Sequence, residues 1–167
     1  MVGLHMPLRI LTTFLCAGAT FLLATSTFAQ TSLHLAPTEP FVLKSDKDLD
    51  TSTIKLGISP VPSILSDHEN YFVEVVGRSK SGEPEYHTHW IDYIVVQHGE
   101  ALLIYGGDNP GATDNGKGEL HGGAIVGGST VELRPGDYAQ IPAGTWHQIN
   151  LKPNAPSFRY VVVKVRQ

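Results

Sequence analysis

Two histidines one residue apart, in His87-Thr88-His89, are the first residues whose types and spacing suggest chemistry. Alternate residues of a β-strand point to the same face, so a strand here would turn both imidazoles toward one interior. A third, His147, follows Pro142-Ala143-Gly144-Thr145-Trp146, a tight turn that would deliver it from a different strand. Three neutral imidazoles, each offering one lone pair, make a facial site for a divalent cation. Asp92, at the head of the apolar run 91–96, is the carboxylate candidate. A histidine-plus-carboxylate set with open positions suits Fe, Mn or Zn, and the spacing leaves that choice open. The competing reading of Asp92 is a strand-start residue that hydrogen-bonds nearby backbone. Asp92 and His121 are the two candidates for acid–base work. His121 precedes Gly122-Gly123 and would overhang the site from a loop. Gln140 alternates with Ile141 and is expected to point inward, whereas His98, beside Gly99 and Glu100, reads as a solvent-exposed turn residue.

The elements that must position these residues are short apolar runs separated by turn chemistry, at 71–76, 91–96, 101–105, 131–133, 138–141 and 158–165. Such a series predicts a β-sandwich or barrel. With 17 Gly and 11 Pro in 167 residues, long helices are cut apart. No apolar period of 3.6 residues persists beyond the amino-terminal segment. Residues 106–128 read as a Gly-rich polar loop or hairpin excursion. Ile54, Leu56 and Ile58 alternate with polar or small residues and predict one strand within an otherwise polar arm.

The amino terminus is set apart. An uncharged run from Ile10 ends in Ala24-Thr25-Ser26-Thr27-Phe28-Ala29, the pattern of a secretory signal peptide cleaved after Ala29 or after Ser26. The alternative is an uncleaved anchor, since about 20 apolar residues can span a bilayer. Both readings place the domain outside the cytoplasm, in the periplasm or secreted. The expected organisation is a signal peptide over 1–29, an arm with a strand over 30–67, and a barrel over 68–167. The single cysteine, Cys16, falls in the first of these, so no disulfide supports the mature chain. The 12 basic and 16 acidic residues leave no basic footprint for nucleic acid. After cleavage no stable membrane association is expected.

Two stretches resemble the conserved motifs of the cupin superfamily. The first, Gly82-Glu-Pro-Glu-Tyr-His87-Thr-His89-Trp-Ile-Asp92 with Gly99 beyond it, is similar to Gly, five residues, His-x-His, three or four residues, Glu, six residues, Gly. The second, from Gly136 through Pro142-Ala-Gly144 and His147 to Asn150, is similar to Gly, five residues, Pro-x-Gly, two residues, His, three residues, Asn. The final Asn arrives one residue early. In the first motif Gly82 stands one residue closer to His87, only two residues separate His89 from Asp92, and Asp replaces Glu. Counting back from Gly99 puts Asp92 at the carboxylate position. The missing residue is thereby assigned to the turn ahead of it.

The resemblance implies an all-β fold, the double-stranded β-helix or small jelly-roll barrel. It also implies a divalent transition metal (Fe, Mn or Zn) held by His87, His89, Asp92 and His147, and a barrel that pairs as a homodimer. The function it implies is a metal-dependent enzyme acting on a small oxygen-bearing molecule. Dioxygenase, decarboxylase, isomerase and lyase chemistry all remain open, because a fold hosts many reactions. The alternative is a non-catalytic module that binds a sugar or carboxylic acid through the metal. Arg134, in a turn before Pro135, offers no carboxylate clamp, and no other arginine near the motifs suggests one.

Overall fold

A computed structural model describes residues 41–54 and 61–167. The signal-peptide segment, Cys16, Leu56 and Ile58 lie outside the described residues. Ile54 closes a helix instead of opening a strand. That helix, α1 (Asp46–Ile54), starts at a reciprocal cap. The Asp48 amide donates to Ser45 Oγ at 3.2 Å, and the Ser45 amide donates to Asp48 Oδ2 at 2.9 Å. Two otherwise orphaned amide donors are thereby satisfied. The helix turns Leu49 inward and binds the buried Arg159 guanidinium through Asp46 and Asp50, the latter at 3.0 Å.

Eleven strands follow among the described residues: β1 (Val61–Asp67), β2 (Tyr71–Arg78), β3 (Glu85–His87), β4 (Trp90–His98), β5 (Ala101–Tyr105), β6 (Thr113–Asp114), β7 (Glu119–His121), β8 (Ser129–Leu133), β9 (Tyr138–Ile141), β10 (His147–Leu151) and β11 (Phe158–Arg166). They form two antiparallel sheets, ordered β1-β2-β11-β4-β9 and β6-β7-β3-β10-β5-β8. Strand β1 pairs with β2 along the edge of the first sheet, so residues 61–67 are part of the barrel wall. All the apolar runs marked in the sequence become strands, because β-branched and aromatic side chains at alternate positions can be buried on one face.

The core between the sheets is apolar at one end and charged at the other. Val76, Ile94, Val96, Leu103, Ile149, Phe158 and Val162 pack together as one cluster. Register then carries the charged residues onto the same inner face, since directly paired residues share a side. Lys164 pairs with Asp92, Val162 with both Ile94 and Glu74, and Tyr160 with Val76. Gly99 shows how tightly the turns are specified: its φ is 77°, and a Cβ there would lie 2.2 Å from the Ser157 carbonyl oxygen.

The Gly-rich segment is an ordered excursion. Asn109 pins its two ends, with Nδ2 donating to the Gly122 carbonyl at 2.7 Å and Oδ1 accepting from the Ala124 amide at 3.0 Å. Within it β7 pairs with β3, placing Glu119 opposite His87 and His121 opposite Glu85.

Candidate metal centre

Strand β3 ends at His87, and this decides which side chains converge. The pleat sets residues two apart on the same face, so the inward pair is Glu85 and His87. The Thr88 amide then donates to the Gly118 carbonyl at 2.8 Å, where the chain bends away. His89, expected to be a ligand, is exposed on that bend and takes no part in the centre. The pairing of alternate residues holds within β3, but the strand stops at His87, so it joins Glu85 to His87 and leaves His89 outside. Shifted back by two residues, the first motif keeps four residues between His87 and Asp92, but Glu85 then replaces its first histidine and Ser79 its leading glycine.

His147, at the start of β10, pairs directly with Glu85. Asp92 arrives from β4 in the opposite sheet. His87, Asp92 and His147 are all buried. Glu85 Oε2 lies 3.8 Å from His87 Nε2 and 3.9 Å from His147 Nε2. Asp92 Oδ2 lies 3.6 Å and 3.7 Å from the same two nitrogens. Among the described residues, one ligand atom each from Glu85, His87 and His147 falls within 4.8 Å of the others. Ligand atoms about 2.1 Å from one ion stand about 3.0–3.4 Å apart, so small side-chain rotations would close the set on a cation. Two imidazoles and a carboxylate are the donor chemistry of Fe, Mn and Zn sites, and these residues fit such an ion.

Both imidazoles are oriented from behind. His87 Nδ1 donates to Glu119, and His147 Nδ1 donates to the Thr145 carbonyl at 3.1 Å. The remaining lone pair on each ring is then at Nε2, facing the centre. Burial pushes the His147 pKa down, against the pull of Asp92 and Glu85, which keeps that ring neutral. Burial opposes the charge on Asp92, but His87 and the Lys164 ammonium outweigh it and hold the carboxyl at about 2. Burial pushes Glu74 up; Lys164 opposes this, while Asp92 and Glu85 add to it.

Lys164, which the sequence reading missed, reaches into the middle of the group. Its Nζ donates to both oxygens of Asp92 at 2.9 Å and to His87 Nε2 at 2.7 Å. The signal was a lone lysine inside the valine run of β11, at a position that alternation places inside. Glu74 and Arg78 carried the same signal in β2. Arg78, which the sequence did not mark as a carboxylate clamp, stands beside Glu85. It is buried, with Nη2 3.6 Å from Glu85 Oε1 and 3.1 Å from the Tyr160 hydroxyl. A cavity of about 110 Å³ opens beside the centre, walled by Glu74, Arg78, Glu85, Asp92, His147 and Lys164 with Val76, Ile94 and Val162 below. His121 is half-buried on β7, opposite Glu85. Gln140 is exposed because Ala139 and Ile141 take the inward positions of β9, and His98 is exposed as expected.

No family profile matches the sequence, and no curated protein matches it. The structure is similar to a conserved protein with a double-stranded β-helix domain from Klebsiella pneumoniae subsp. pneumoniae MGH 78578. That match has a TM-score of 0.54 and 19% identity, over 76% of this chain and 90% of that one. The fold is the cupin double-stranded β-helix. Other similar structures are the polyketide cyclase RemF from Streptomyces resistomycificus (TM-score 0.45, 23% identity, over 64% and 66% of the two chains) and a cupin domain from Bordetella pertussis Tohama I (TM-score 0.44, 18% identity, over 66% and 96%).

Proposed function

We propose that this chain is an exported metal-binding cupin enzyme that acts on a small oxygen-bearing molecule in the cavity beside Glu85, His87 and His147. The observation that supports this reading is the convergence of one carboxylate oxygen and two imidazole Nε2 atoms beside a cavity that Glu85 and His147 help to line. A bound Fe, Mn or Zn ion would supply Lewis acidity or redox chemistry to a ligand in that cavity. Glu119 and the Thr145 carbonyl fix the two rings. Glu85 would neutralise part of the ion's charge, and the apolar floor of Val76, Ile94 and Val162 would exclude water. At about 110 Å³ the cavity is smaller than the engineered apolar cavity of about 150 Å³ that accommodates benzene, so a ligand held there would be compact.

A second reading, a small-ligand binding module without turnover, draws on Lys164. It ties up Asp92, one of the two acid–base candidates, which leaves His121 as the other. The reaction class among dioxygenation, decarboxylation, isomerisation and lyase chemistry is part of the proposal that only assay decides.

Metal analysis of protein purified without chelator tests the site. About one ion per chain is expected, lost in Glu85→Gln and in His147→Ala and retained in His89→Ala. Equal metal content in all four proteins would remove the proposal. Oxygen uptake and product formation with small acids, phenols and sugars then separate enzyme from binder. Sequencing the amino terminus of the exported protein should give a start at Gln30 or Thr27.

A further inference from the structure

His87 can offer the centre only one lone pair. In the neutral imidazole the Nδ1 proton is committed to Glu119, so Nε2 is the sole acceptor on the ring. That lone pair already receives a hydrogen bond from Lys164 Nζ at 2.7 Å. A lysine ammonium has donors and no lone pair, so the direction of this bond is fixed. A divalent cation coordinated by His87 would need the same orbital, so ligation and the lysine contact cannot coexist.

Asp92 is engaged in the same way. Both of its oxygens accept from Lys164 Nζ at 2.9 Å, and the two residues are direct cross-strand neighbours on β4 and β11. The pair is buried on the inner face, where an ammonium and a carboxylate are mutually required. A small rotation of the lysine would release His87 and keep Asp92, whereas full withdrawal would leave two unpaired buried charges.

We infer that Lys164 is a built-in competitor for the metal: its ammonium occupies the His87 lone pair when no ion is bound and keeps Asp92 out of the ligand set. The inference rests on the metal-centre reading proposed above. The resident ligands are then Glu85, His87 and His147, and Asp92 anchors the lysine. The pocket keeps a cation among its carboxylates in both states. Metal affinity is set below what three such ligands would otherwise give, because loading must first break the contact between Lys164 and His87.

Zn2+ titration of the EDTA-stripped chain against a chromophoric chelator tests this without an activity assay. Lys164→Met is expected to bind one Zn2+ at least tenfold more tightly than wild type. Arg78→Met, which removes a positive charge beside Glu85 without touching the His87 lone pair, is expected to tighten binding by less. Removing Lys164 alone strands a buried carboxylate, so the same comparison is made between Asp92→Asn and Asp92→Asn/Lys164→Met, with the double variant tighter. Equal or weaker affinity on loss of Lys164 in both backgrounds overturns the inference and leaves the metal site standing. So does an equal gain in Arg78→Met, which would make the effect one of charge alone. Absence of Zn2+ binding in every variant, Lys164→Met included, removes the metal reading and the inference with it.

Discussion

Asp92 is where the chemistry of single residues is most exposed to test. It is ionised beside Lys164, and its pKa is held at about 2 against 3.8 in an unstructured chain. Between those values the unfolded chain binds more protons than the folded one, so stability rises with pH across that window and is lost as pH falls through it. The contribution, about 2 kcal/mol, is fully present above pH 4. Denaturant midpoints of the metal-stripped protein should therefore drop between pH 4 and pH 2, and Asp92→Asn should flatten that acid limb. An unchanged slope in the variant would show that Asp92 is not the group responsible. At this scale the sequence exposed His87, Asp92 and His147 through their types and spacing. It hid Glu85, Lys164 and Arg78, because acids and bases are common and nothing local marks those that face inward. The one usable clue was a charged residue at an inward position of an apolar strand, as for Lys164 among the valines of β11.

Among the elements, the strands that announced themselves were those long enough for alternation to repeat. Strand β3 has only three residues, too few for a period to show, and its end at His87 is set by the hydrogen bond from Thr88 to Gly118 across the excursion. That long-range contact is why the His-x-His pair splits, one ring inside and one outside. Helix α1 was missed for a different reason. Its Ser45-x-x-Asp48 cap is a local signal, but the polar sequence around it gives a weak apolar face, and the docking that holds it comes from the distant Arg159. Ser45→Ala should cost about 1 kcal/mol and lower the thermal midpoint by a few degrees. Because α1 docks on Arg159, whose side chain alternates away from the inward Lys164 on β11, Zn2+ affinity should stay unchanged; a large loss of binding would tie the helix to the site.

For the molecule as a whole, two sheets enclose a core whose charged end would be costly without internal partners, since buried charges are tolerated only when paired. Glu85 faces Arg78, Asp92 faces Lys164, and Glu119 faces His87. A cation bound only by the folded state should stabilise the barrel by mass action, by about 2.7 kcal/mol at a hundredfold excess over Kd. Thermal scans with and without Zn2+ should show that gain in wild type, none in Glu85→Gln, and a larger gain at equal Zn2+ in Lys164→Met. A similar rise in Glu85→Gln would place the ion elsewhere.

The sequence by itself determined the β architecture and the two stretches from which the centre is built. Alternation, turn residues and motif spacing are local properties, and strands and turns follow from them. Only the tertiary structure decided the membership of the centre. Which side chains meet depends on where a three-residue strand stops and on which residue of β11 lies across from β4. Those are matters of pairing between segments distant in the chain, Thr88 with Gly118 and Asp92 with Lys164, and no local pattern encodes them.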